Sequence, residues 1–256
     1  MTKVYDYNSK AWDLQVQQSS PWTRPVTKEE IALARQGQWQ VLLTNSTPVP
    51  RSWLEPLQGK RILGLASGGG QQGPIFAALG ADVVILDASQ AQLDQDVAVA
   101  EREGFNIKTY RGSMADLSVF GSESFDLVFN PASNCFIENV NPVWQEAARV
   151  LKKGGHLLSG FINPVYYACD QDLMDQGRVE FKYQIPFGDQ KSRSEEAYKK
   201  YLETKAPLEF GHTLEDLLGG QLKAGLALVG MYEDHWGGLA IDKYLRTLMA
   251  TRAVKL

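Results

Sequence analysis

The chain has 256 residues, which at ~150 residues per domain means one large domain or a domain with an elaborate insertion. Hydrophobic residues make up 44% and charged residues 22%, ordinary globular values that exclude a disordered chain. A net charge of −4 lacks the basic footprint of a sequence-independent nucleic-acid binder, no apolar run approaches the ~20 residues of a membrane span, and the two cysteines, Cys135 and Cys169, make neither a disulfide framework nor a zinc cluster, so no metal site is expected.

The opening residues, MTKVYDYNSKAWD, carry no apolar run of the secretory kind, so the expected compartment is the cytoplasm. Residues 27–44 read as a helix: Thr27 with Glu30 is a capping box, and Ile31, Leu33, Ala34, Val41 and Leu42 form an apolar stripe that Pro48 and Pro50 bring to an end. Arg61 to Ala66 is a short apolar run before glycines, the mark of a buried strand. Gln72 to Leu79 reads as a helix stopped by Gly80, and Asp82 to Leu86 as a second strand. Ser89 caps a helix running to about Glu103, which Gly104 ends. Strands follow over Asn106–Tyr110 and Phe125–Asn130, then a helix over Val143–Leu151 and a strand over His156–Phe161. From about Asn163 to His212 the rhythm breaks, as expected of an insertion that forms a lid beside a cleft. Thr213 caps a helix to about Ala224, and Leu226–Tyr232 and Leu239–Ala253 read as closing elements, at least partly strand. Strands alternating with helices at this spacing predict an α/β fold, a mostly parallel sheet with helices on both faces.

In such a sheet ligands bind outside the carboxyl ends of the strands, near the first strand–helix turn, here Gly64-Leu65-Ala66-Ser67-Gly68-Gly69-Gly70. Glycines there permit close approach of a ligand, and the N–H groups opening the next helix favour a negative group on it. Gly68, Gly70 and Gly73 also match G-x-G-x-x-G, which keeps a nicotinamide-dependent oxidoreductase as a reading. Against it, the next strand-end acid, Asp87, lies 14 residues after Gly73, whereas the dinucleotide fingerprint expects about 20.

The run ILGLASGGG…ALGADVVILDAS resembles the first two motifs of class I S-adenosylmethionine-dependent methyltransferases, and Gly70 to Asp87, 17 positions, is the spacing that family uses. Arg111-Gly112-Ser113-Met114-Ala115-Asp116-Leu117 resembles its third motif, Ser124-Phe125-Asp126-Leu127-Val128 its fourth strand, and Ala148 to Gly155 (ARVLKKGG) the segment before its fifth. Upstream, Tyr7-Asn8-Ser9-Lys10-Ala11-Trp12-Asp13 resembles the opening of many small-molecule methyltransferases. The sequence departs from the family at Gly64, where an acid is usual, at Ala66, which replaces a glycine, and at Ser113, where an aspartate is common.

The resemblance implies a Rossmann-like, mostly parallel seven-stranded sheet with an N-terminal helical segment and a cap insertion. The expected organisation is one methyltransferase domain over 1–256: an N-terminal cap segment at 1–50, a cofactor-binding core at 55–162, a cap insertion at 163–212, and a closing helix and strands at 213–256. The implied activity is methyl transfer from S-adenosylmethionine to a small-molecule acceptor, with no nucleic-acid or membrane partner. The alternative within the same family is a catalytically silent S-adenosylmethionine-binding module.

Carried over by position, the backbone at Ala66, Ser67 and Gly68 faces the methionine part of the cofactor, Gly70 belongs to the same cofactor-binding loop, Asp87 holds the ribose, Ala88 and Met114 flank the adenine, and Asn130 lies below the methyl. The missing first-motif acid leaves the cofactor's ammonium to another group, with Asp13 and Asp116 as substitutes. Tyr7, Trp12 and Trp22, with Tyr5 and Arg24 nearby, read as a flap over the acceptor, and His212, at the exit of the insertion, as a general base.

Overall fold

The computed structural model describes residues 2–256. The chain opens with α1 (Lys3–Gln17), capped by the Thr2 hydroxyl, and continues through a short 3₁₀ turn into α2 (Lys28–Arg35). The Thr27–Glu30 capping box that starts α2 is present, but the helix ends nine residues short of the predicted Thr44. Gly37, at φ +82°, turns the chain out of the helix. Val41, Leu43 and Val49 still bury, from an irregular segment laid over the sheet instead of from a helical stripe.

Next come β1 (Arg61–Leu65), α3 (Gln72–Ala78), β2 (Asp82–Asp87), α4 (Gln90–Glu103), β3 (Ile107–Arg111) and β4 (Phe125–Asn130). The predicted start and stop signals operate as read: Ser89 accepts from the Gln92 N–H at the head of α4, and Gly104, at φ +71°, closes it. α5 (Asn141–Val150) leads into β5 (Leu151–Ile162), which starts five residues earlier than its apolar run suggests because Lys152 to Gly155 continue the extended backbone. The insertion folds into α6 (Val165–Ala168), α7 (Gln171–Asp175), a two-residue ladder of β6 (Phe187–Gly188) with β7 (Phe210–Gly211), α8 (Asp189–Ser192) and α9 (Glu195–Glu203). The helix expected after Thr213 is a π-turn over Glu215–Gly219 running into α10 (Gly220–Lys223). β8 (Leu226–Asp234) and β9 (Leu248–Lys255) close the chain.

The seven-stranded sheet has the order β3-β2-β1-β4-β5-β9-β8; the first five strands are mutually parallel and β9 runs antiparallel to both its neighbours. Alternate residues of the central strands bury on opposite faces, as the period of two requires. Leu63, Leu65, Val84 and Leu86 pack with Val143, Trp144 and Ala147 of α5, whereas Ile62, Val83 and Ile85 pack with Ile31, Ile75 and Leu93 of α2, α3 and α4. The strand order reverses between β1 and β4, and at that switch point the carboxyl ends of the strands open into a cavity. Among the described residues no helix is long and apolar enough to cross a membrane.

Candidate active site

The cavity encloses about 1700 Å³. Its floor is the turn after β1. Ala66 adopts φ +48° and Gly69 φ +113°, and the loop is wired into place by its own N–H groups: Ala66 donates to the Leu86 carbonyl at 2.7 Å, Gly68 to Asp87 Oδ2 at 3.0 Å, and Gly69 to Asp96 Oδ2 at 3.0 Å. Burial pushes the Asp96 carboxyl up to about 8, so this loop anchor is a neutral acid at pH 7.

Gly64 shows why the family's first acid is absent. A Cβ there would collide with Ser67 Oγ and stand 2.5 Å from Ile85 Cδ1. The buried Ser67 side chain fills the space an acid would need.

Asp87, at the end of β2, faces the cavity with one lone pair of each oxygen used: Oδ2 accepts from Gly68 N–H and Oδ1 from Ser89 N–H at 2.9 Å. Burial raises its pKa against the pull of these amide donors. The remaining lone pairs suit a ligand presenting two hydroxyls. A Cβ on Gly68 would lie 3.1 Å from Asp87 Oδ2 and 2.8 Å from Gln92 Cβ, so the space above the floor is open only because this residue is glycine. Gln92 Oε1, on the same wall, is buried without a hydrogen-bond partner. These features fit S-adenosylmethionine: a ribose acceptor, a backbone floor, and an unpartnered polar atom awaiting a donor.

Ala66, Ser67, Gly68, Asp87, Ala88 and Met114 all line the cavity. Gly70 does not; the position of a Cβ there falls between Pro25, Val99 and the Gln95 carbonyl, under the floor. Asn130 is also outside the wall. It is fully buried, donating to the Leu65 carbonyl at 2.9 Å and to Ser133 Oγ at 3.0 Å while accepting from Ser159 Oγ at 3.0 Å, so it ties the ends of β1, β4 and β5 together. Of the two substitutes for the first-motif acid, Asp116 lines the cavity and Asp13 does not. Asp13 Oδ1 accepts from Ser89 Oγ at 2.6 Å and Ala91 N–H at 3.1 Å, which makes it a cap on α4.

α1 closes one side. Tyr5 and Trp12 line the cavity, whereas Tyr7 does not. Ser9 Oγ donates to the Ala88 carbonyl at 2.8 Å, and Arg111 grips the same carbonyl through Nε at 3.2 Å and Ser9 through Nη2 at 3.0 Å. Buried Asn8 reaches furthest: its amide donates to the Phe136 and Leu208 carbonyls, both at 3.0 Å, and accepts from Leu208 N–H at 2.7 Å. Trp22 lines the opposite rim, edge-on to Trp236 at 5.6 Å.

His212 is buried and does not line the cavity. Its Nε2–H donates to the Asn134 carbonyl at 2.9 Å, and burial lowers its pKa, so the ring is a neutral strut under the turn after β4. The cap instead presents Glu209, a half-buried residue in an aperiodic stretch where no sequence signal distinguished it. Cys135 also lines the wall, with its thiol pushed well above the usual range by burial and therefore protonated. Among the described residues no three His, Cys, Asp or Glu side chains group as metal ligands.

Comparison with known proteins bears on this arrangement. A family model described as a methyltransferase domain matches residues 63–159. The chain is 48% identical over its full length, and over the full length of the relative, to a Bacillus subtilis protein named as the uncharacterized methyltransferase YbaJ. It is 31% identical to a ubiquinone biosynthesis O-methyltransferase of Sinorhizobium fredii, over 43% of this chain and 44% of that one. Among solved structures, an S-adenosylmethionine-dependent methyltransferase from Mesorhizobium loti superposes with a TM-score of 0.62 at 19% identity, covering 80% of this chain and 95% of that one.

Proposed function

Since the chain belongs to the class I S-adenosylmethionine-dependent methyltransferases, we propose that it moves the methyl group of S-adenosylmethionine onto a small molecule held in the same cavity. The observation that carries the reading is the continuity and size of that cavity. At about 1700 Å³ it exceeds the roughly 300–1,000 Å³ of common single-ligand pockets. One end has the loop, Asp87 and Met114; the other has Cys135, Phe136, Ile162, Trp236 and Leu248, an apolar wall suited to an organic acceptor. The likeness to the O-methyltransferases lies in less than half of this chain, so the acceptor is argued from this wall.

S-adenosylmethionine supplies an electrophilic methyl group on a positively charged sulfur. The chain's own residues align and enclose. Asp87 accepts from the ribose hydroxyls, and the Ala66–Gly68 backbone supports the methionine part. Ala88 and Met114 hold the adenine, while Gly70 and Asn130 act from behind the wall by fixing the loop and the strand ends. α1, with Tyr5 and Trp12, and the rim pair of Trp22 and Trp236 exclude water, so the rate comes from holding the acceptor in line with the carbon–sulfur bond. Arg24 and Asp116, both on the cavity wall, are the charged side chains we assign to the cofactor's carboxylate and ammonium.

Calorimetry checks the reading. The protein binds S-adenosylmethionine and S-adenosylhomocysteine and gives no heat with NAD; tight NAD binding without a response to the sulfonium compound overturns it.

A further inference from the structure

Methylating a neutral hydroxyl leaves a proton on the acceptor, and His212 is turned away from the cavity. Glu209 is not. It enters the wall from the end of the insertion, and its Oε2 accepts from the Tyr167 hydroxyl at 2.8 Å, which fixes the carboxyl against the cluster of Cys135, Ile162, Tyr167 and Leu248. Among the described residues nothing donates to Oε1, and no basic side chain pairs with Glu209. Arg193, a cation close by, is taken up by buried Asp189, donating to Oδ1 at 2.6 Å; Asp189 Oδ2 in turn accepts from the Glu209 N–H at 2.7 Å.

We propose that Glu209 is the catalytic base of this chain, and that the acceptor is a neutral molecule whose hydroxyl delivers its proton to Oε1. The proposal rests on the small-molecule reading above. In the step, the acceptor oxygen bonds to the methyl carbon and the carbon–sulfur bond breaks with its electron pair on sulfur. The hydroxyl proton passes to Glu209, which returns it to water once the product leaves.

The surroundings single out this group. Burial pushes the Glu209 carboxyl up to about 7, with Asp189 adding to the rise and the Tyr167 hydrogen bond and Arg193 opposing it. Every other shifted group facing it stays protonated at neutral pH: burial raises Tyr166 and Tyr167 on α6, Tyr201 on α9 and the Cys135 thiol far above that point. A base whose pKa lies near the working pH is the most effective kind. Tyr167 is a positioning residue, since it reaches the acceptor only through Glu209.

The test uses the full chain saturated with S-adenosylhomocysteine. In carbon-13 spectra of protein labelled at its glutamate carboxyls, one signal titrates near pH 7 and is missing from Glu209→Gln, while Tyr167→Phe moves it to higher pH. With catechol and simple phenols as probe acceptors, wild-type kcat rises with pH through about 7, because the ionised form is the base. Glu209→Gln is slower by ~100-fold or more and loses that rise, with S-adenosylhomocysteine affinity unchanged within about twofold. Methylation of thiophenol, already ionised, is unchanged within about threefold. A Glu209 signal titrating at its ordinary value of 4.5, a Glu209→Gln protein methylating phenols at the wild-type rate, or a wild type that binds S-adenosylhomocysteine yet methylates no phenol overturns the proposal. Failure to bind S-adenosylhomocysteine at all overturns instead the methyltransferase reading beneath it.

Discussion

Asp87→Ala binds S-adenosylhomocysteine roughly 10- to 150-fold more weakly than the parent chain in calorimetry. Hydrogen bonds to a charged acceptor contribute about 1.5–3 kcal/mol, and each factor of ten corresponds to ~1.4 kcal/mol. The substitution also releases the Gly68 and Ser89 N–H groups that the carboxylate holds. Losing a bond of the capping kind costs ~0.5–2 kcal/mol, so the melting temperature falls by a few degrees as well. Asp87→Asn keeps the shape but only one carbonyl oxygen, so its NH2 faces one of the two N–H groups and the variant loses stability as well as affinity. An Asp87→Ala chain with wild-type affinity would make the residue a loop anchor alone.

Restoring the family's acid is the second large effect, and its sign runs against intuition. Gly64→Asp does not tighten cofactor binding; it unfolds the floor. Even Gly64→Ala places a Cβ against Ser67 Oγ and Ile85 Cδ1, and overpacking of this kind costs ~1–3 kcal/mol. In a chain of this size that lowers the melting temperature by ~2–12 °C. Aspartate adds a carboxylate with no partner in a buried strand, so the loss is larger still. Introducing Ser67→Ala and Ile85→Val together removes both colliding atoms and recovers most of the Gly64→Ala loss. Full wild-type stability in Gly64→Asp, measured by thermal unfolding, would show that the strand moves aside.

The same two residues show how far the sequence could be read. The central strands and their helices were legible because each apolar run is bounded by a local signal with a mechanism: Ser89 at the head of α4, Gly104 at its end, and glycines after β1. The Asp87 position followed from spacing. α2 was overextended because Val41 fits a helical stripe equally well from an irregular segment, and periodicity does not separate the two. The resemblance implies an N-terminal helical segment without giving α1 its bounds, since a helix that buries Asn8 and Ser9 is held by hydrogen bonds to distant backbone, which leave no local pattern. Glu209 escaped for a related reason: its environment is assembled from Cys135, Tyr167 and Asp189, which are scattered in sequence. His212 reads as facing the cleft from its place before the Thr213 cap, but its neighbours in sequence carry no information about which way the ring points, and the ring turns to the Asn134 carbonyl.

The bonds from Asn8 to Leu208 span 200 residues, and this sets an order of events during synthesis. At ~5–20 residues per second, α1 is made roughly 10–40 seconds before Leu208, one of the segments it grips. A helix of 15 residues is marginal in water by itself, so during that interval α1 depends on such contacts as Ser9 with Ala88 and Asp13 with Ser89 and Ala91. The side of α1 that meets α4 can close early, whereas the bonds from Asn8 to Leu208 wait for the insertion to be made and β8 and β9 follow later still. A newborn chain therefore passes through a stage with β1 to β5 made and its reaction chamber still open on the side of the insertion, and it becomes a working enzyme only after Leu208 has reached Asn8 and β8 and β9 have completed the sheet.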